Sequence, residues 1–159
     1  KLAAFVCQQE EIKDGYLSVA LVKDKKIREI NRRYRRVNQT TDVLAFDLSG
    51  SPALFQRGSA KGEKGRGLVG DIILSVETAE RKARELKHSL EEELFLYLTH
   101  GILHLAGYDD TDRKEYLRMK KRQEQLLRKF QITNHKSIKP SIVEGLRNSN
   151  RPASNGCVC

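Results

Sequence analysis

From Leu90 to Ala106 the chain reads as a helix that, past its acidic first turn, is apolar almost all round. Leu94, Phe95, Leu98, Ile102 and Leu105 fall on one side, and Leu96, Tyr97 and Leu103 on the other. A helix without a polar face belongs in an interior, so the remaining elements must be arranged to cover it. Its ends are marked as well. Ser89 and Glu92 match a capping box, in which each side chain satisfies a backbone N–H at the helix start. Gly107 suits the left-handed position just past the last turn.

The elements that could provide such a cover are visible along the chain. Leu2, Ala3, Phe5 and Val6 suggest a short first helix, entered in mid-course. Tyr16–Val22 reads as a strand, being partly alternating and rich in Val and Tyr. From Asp24 the period becomes helical, with Ile27, Ile30, Tyr34 and Val37 on one face and Arg28, Arg32 and Arg35 opposite. Residues 42–48 predict a second strand and 71–76 a third, separated by a Gly-, Ser- and Lys-rich basic loop over 49–68. Ala79, Ala83 and Leu86 mark the inner face of another helix. Asp112 and Glu115 repeat the capping-box pattern before a last long helix to about Phe130. The sum is an α/β (α+β) fold: a small mixed β-sheet packed with helices, with one domain over 1–130. Residues 131–159, rich in Asn, Ser, Pro and Lys and without periodicity, read as a disordered basic tail. The whole chain has 159 residues, enough to bury roughly 70% of its unfolded surface without disulfide staples.

Into the buried helix the sequence sets His100 and His104, four residues apart and therefore on one face. This spacing presents two imidazoles to a single metal ion. The run continues as His-x-x-x-His-x-x-Gly-x-x-Asp, in which the glycine turns the chain back and a third ligand arrives from beyond it. That ligand is expected to be Asp110, whose carboxylate can bind Zn²⁺; Asp109 and Asp112 compete for the role. The metal site thus lies at the end of the central helix. Zinc peptidases of this layout carry a Glu directly after the first His as general base. Gly101 stands there instead, so a peptidase would lack its proton acceptor.

Composition narrows the partner. Thirty Lys+Arg against twenty-one Asp+Glu give a net charge of +9, which favours a polyanion such as nucleic acid. Aromatic residues make up 6% and are not interleaved with the basic ones, so a base-stacking, sequence-reading module is not expected. No apolar run reaches the ~20 residues needed to span a bilayer. Three cysteines, two of them in the last three residues, cannot form a disulfide framework, and a reducing setting, cytoplasmic or in an organelle matrix or stroma, is expected. Gly156 occupies the position at which a C-a-a-X signal needs its Cys, leaving Cys157 and Cys159 as an inert end.

Three blocks of this sequence resemble, in order and spacing, the YbeY family of metal-dependent endoribonucleases of ribosomal RNA maturation. They are residues 30–35 leading to 41–46, residues 70–75, and Thr99–Asp109 around the histidine pair. The resemblance covers roughly residues 1–130 and implies that the family's first strand is absent from this chain. It also implies that Arg35, in the Tyr34–Arg35 step, is the functional arginine, gripping phosphate bidentately. Two positions depart from the pattern: Asp110 stands for a third His and Ala45 for a Ser. A His₂Asp shell still suits zinc but makes a weaker Lewis acid than three imidazoles and shifts preference toward harder ions.

With three protein ligands, a zinc ion keeps an open fourth position, for a water of lowered pKa or for a phosphate oxygen. Asp71, at the start of its strand, could orient a ligand imidazole. Arg32 and Arg33 are expected along the substrate path, with Lys61, Lys64 and Arg66 as further contacts to an RNA backbone. The implied function is a zinc-dependent, single-strand-specific endoribonuclease in small-subunit rRNA 3′-end maturation and ribosome quality control. Single-stranded RNA, ribosomal proteins and an assembly GTPase are the implied partners. A hydrolase of another substrate, or a ribosome-associated RNA-binding protein that does not cut, would fit the same composition.

Overall fold

The computed structural model describes residues 1–49 and 66–133. The chain forms α1 (Leu2–Gln9), β1 (Ile12–Val22), α2 (Asp24–Arg35), β2 (Val43–Asp47), β3 (Arg66–Ser75), α3 (Val76–Leu86), α4 (Leu90–Leu105) and α5 (Arg113–Thr133). The strands form one sheet in the order β1-β3-β2, with β1 parallel and β2 antiparallel to β3. This is the small mixed sheet packed with helices that the sequence predicts.

Alternation along the strands divides the side chains between two cores. Val43, Ala45, Ile72 and Leu74 face the main core, where α4 contributes Leu96, Tyr97, Ile102 and Leu103, and α5 contributes Met119, Leu126, Leu127 and Phe130. Leu44, Phe46 and Ile73 point to the other face and pack with Ile27 and Ile30 of α2. Helix α4 is therefore covered by the sheet on one side and by α1 and α5 on others, as its all-round apolarity requires. Phe130 fastens the two outer helices to it, meeting Phe5 at 5.4 Å and Phe95 at 5.7 Å between ring centroids.

Local signals at the ends of α4 are realised. Ser89 accepts from the Glu92 amide at 3.1 Å while the Glu92 carboxylate accepts from the Ser89 amide at 2.7 Å. Gly107 has φ 92°, where an L side chain would be strained. At α5 only half of the expected box forms. The Asp112 carboxylate accepts from the Lys114 and Glu115 amides, and Glu115 instead pairs with Arg118. The packing of α4 on the sheet explains Gly101: a Cβ there would lie 3.1 Å from two side-chain carbons of Ile72.

Three expectations about boundaries change. β1 begins at Ile12, not Tyr16, and β3 at Arg66, not Asp71, so the loop before it is shorter than expected. α5 continues through residues 131–133. Lys61 and Lys64 lie outside the described residues, as do positions 134–159, including Cys157 and Cys159.

Candidate metal centre

His100 and His104 project from the last turns of α4, and the turn at Gly107 brings Asp110 back toward them. The two Nε2 atoms are 3.1 Å apart. Asp110 Oδ2 lies 4.0 Å from His100 Nε2 and 3.9 Å from His104 Nε2. One ligand atom from each of the three residues lies within 4.8 Å of the others. His104 and Asp110 are buried, and His100 keeps a partly exposed edge.

The groups behind the rings decide which nitrogen faces the centre. His104 Nδ1 lies 3.1 Å from the Tyr108 carbonyl, which can only accept a hydrogen bond. His100 Nδ1 lies 3.3 Å from Gln123 Oε1, and Gln123 Nε2 donates to the Leu96 carbonyl at 3.2 Å, which fixes the amide's orientation. Each Nδ1 therefore carries its ring's proton, and each Nε2 presents a lone pair to the other. Burial first, and then the repulsion a protonated His100 would exert, pull the His104 imidazole down to about 4, so it is neutral near pH 7. Its approach to Asp110 is accordingly a separation between potential ligand atoms, not an ion pair.

Two lone pairs and a carboxylate converging in a buried pocket repel one another unless a cation lies between them. Burial raises the Asp110 pKa, and its Oδ1 has no hydrogen-bond partner among the described residues. A tetrahedral ion with ligand distances of about 2.0–2.1 Å sets its ligand atoms about 3.3–3.4 Å apart, near the 3.1 Å between the imidazoles and within a small inward shift of Asp110 from its 3.9 and 4.0 Å. The donor set therefore fits a divalent metal ion.

The competing carboxylates are committed elsewhere. Asp109 is half-buried and accepts from the Thr111 hydroxyl and from the Asp110 and Thr111 amides, an Asx-type turn that holds its pKa below the usual carboxylate value. Asp112 caps α5.

Arg35 is half-buried at the end of α2, while Arg32 and Arg33 are exposed. Its positive charge is a minor influence on the cluster, acting with burial on His104 and against the burial that raises the Asp110 pKa. Asp71 does not orient an imidazole. Ile72 faces α4 and Ile73 faces α2, so alternation places the Asp71 side chain on the α2 face of the sheet. Gln123 and the Tyr108 carbonyl take the positions behind the rings.

The sequence carries a signal for only one of these two groups. Gln123 falls on the inner stripe of α5 with Met119, Leu126, Leu127 and Phe130, where an amide needs a buried partner. The Tyr108 contribution is a backbone carbonyl, which residue type does not reveal. Its side chain packs on the core and donates to Glu10 at 3.3 Å; Glu10 in turn holds Arg122 at 2.7 Å.

Fold and cluster together define a class: an α+β protein built round one interior helix equipped to hold a metal ion. A family model described as Endoribonuclease YbeY matches residues 1–131. The chain belongs to the YbeY endoribonuclease family. It is 42% identical over 131 residues to the Endoribonuclease YbeY of Heliobacterium modesticaldum, covering 79% of this chain and 77% of that one. With the Endoribonuclease YbeY of a Picosynechococcus species it shares 42% over 121 residues, covering 75% and 71%. A solution structure of a Thermotoga maritima protein superposes with a TM-score of 0.50 at 25% identity, covering 97% of this chain and 89% of that one.

Proposed function

We propose that this chain is an endoribonuclease that cuts single-stranded RNA, with zinc held by His100, His104 and Asp110, and that it works in 3′-end maturation and quality control of small-subunit rRNA. The observation that carries this reading is the convergence of two Nε2 lone pairs and a buried carboxylate. Family membership supplies the substrate class, since the relatives are named endoribonucleases.

When bound, the ion supplies a Lewis acid for phosphodiester cleavage. The chain's own groups do the rest. Gln123 and the Tyr108 carbonyl hold the two imidazoles in the tautomer that ligates. Asp110 brings a negative charge that balances part of the cation's. Arg35 grips the phosphodiester and neutralises the charge that grows on its oxygens during cleavage. Arg32 and Arg33, exposed on the same helix, guide the RNA backbone toward it. Ribosomal proteins or an assembly GTPase would present the rRNA, in a cytoplasm, organelle matrix or stroma. Among the described residues no helix is long and apolar enough to cross a membrane.

The test compares cleavage of a single-stranded oligoribonucleotide with that of its duplex by the wild type, Arg35→Ala and chelator-treated protein. The expected outcome is single-strand-selective cutting that chelation abolishes and zinc restores. Arg35→Ala should lower kcat by about 10²–10³. Cutting that survives removal of the metal, or that ignores Arg35, would contradict the reading. In cells without the chain, 3′-extended small-subunit rRNA should accumulate and be cleared by the wild type but not by His104→Ala.

A further inference from the structure

Tyr34 is 59% exposed, although its ring lies on the stripe of α2 that faces the sheet. It is not loose. The ring rests edge-on against Phe46 of β2, with centroids 5.4 Å apart and planes at 64°. The Arg33 guanidinium sits 5.5 Å from its centroid. Contrary to the sequence expectation, one aromatic ring does stand among basic residues: Tyr34, supported by Phe46, exposed to solvent and flanked by Arg33 and Arg35, combines the two parts of a single-strand binding surface, a stacking plane and backbone-seeking charge.

Its location ties it to the metal centre. The space above Gly70 of β3, where a Cβ would sit, lies 2.8 Å from the Phe46 carbonyl and 2.8 Å from Leu105 Cδ1. Leu105 directly follows His104. Phe46, which supports Tyr34, and the helix end that carries the imidazoles therefore meet at one end of the sheet, on opposite faces. The next residue, Arg35, is the last of α2.

We propose that Tyr34 is a stacking platform for an unpaired nucleobase next to the phosphodiester held at Arg35; this rests on the endoribonuclease reading above. Every base has a π-face, so one platform accepts any sequence while excluding bases already stacked within a duplex. Single-strand selectivity would then come from Tyr34, and phosphate capture from its arginine neighbours.

The chain contains no tryptophan, so Tyr34→Trp places a unique fluorophore at the platform. The experiment titrates the zinc-loaded variant with a single-stranded oligoribonucleotide and with its duplex, and measures affinities of the wild type, Tyr34→Phe and Tyr34→Leu by anisotropy. The single strand should quench the Trp emission and the duplex should not. Tyr34→Leu should weaken single-strand binding by about 5- to 150-fold, whereas Tyr34→Phe, which keeps the ring, should bind like the wild type. Zinc content and circular dichroism should match the wild type in all three variants. An abasic nucleotide moved along the strand should weaken the wild type at one position, where Tyr34→Leu shows no additional loss. If the wild type binds single strands but Tyr34→Leu binds equally well, or the Trp is silent, the platform is overturned and the endoribonuclease reading stands. If the wild type binds no RNA, both fall.

Discussion

Each imidazole of the cluster is set by a neighbour that fixes its proton. Gln123 is the side chain through which this can be tested, because it holds His100 without touching the centre. Replacing Gln123 with Leu should lower zinc affinity by about 10–100-fold in a competition assay with a chromogenic chelator, with helix content unchanged. An unchanged affinity would show that the His100 tautomer is set in another way. His104 makes a prediction for the metal-free protein. In the fold its pKa is lowered to about 4 from an ordinary 6.5, so between these values the unfolded chain binds more protons than the folded one. Stability should therefore fall as the pH drops from about 6.5 toward 4, by up to about 3 kcal/mol from this group. The raised pKa of Asp110 acts in the opposite sense, since the folded state takes up that proton first, and it offsets part of the loss. Urea denaturation across this range should show a shallower slope for His104→Gln than for the wild type. Equal slopes would mean that the buried imidazole is not held neutral.

Helix α4 shows how far a sequence can position a site and where that reading stops. Its interior placement, the capping box at Ser89 and the turn at Gly107 were all legible, because each follows from residue type at fixed spacing. The return of Asp110 to the histidine pair was legible for the same reason. The strand starts were not. Lys13, Asp14 and Gly15 look like a turn, yet β1 is an edge strand whose outer side tolerates polar residues. Gly67 and Gly70 look like loop residues, but in β3 the missing side chain of Gly70 makes room for Leu105. The sheet face of Asp71 was not legible, because it is decided by pairing with distant strands. The contact between Gly101 and Ile72 belongs to this same packing. Gly101→Leu should cost about 1–3 kcal/mol in denaturant unfolding through overpacking, and adding Ile72→Ala should recover part of it. A Gly101→Leu variant as stable as the wild type would place α4 farther from the sheet.

Across the molecule, a net charge of +9 acts at longer range than any single contact. It draws a polyanion in, and the positions of Arg32, Arg33 and Arg35 on α2 give that attraction a direction. RNA affinity should fall with added salt, with a log–log slope of about −0.7 for each phosphate neutralised. Arg35→Ala should flatten that slope by about 0.7 if Arg35 holds a phosphate, and leave it unchanged if it does not. The proposed cleavage depends on three side chains sharing one cation. Elemental analysis of the purified wild type beside His100→Ala, His104→Ala and Asp110→Ala tests this most directly. The arrangement predicts stoichiometric zinc in the wild type and its loss from each variant, whereas an Asp110→Ala protein that retains zinc as firmly as the wild type would contradict it.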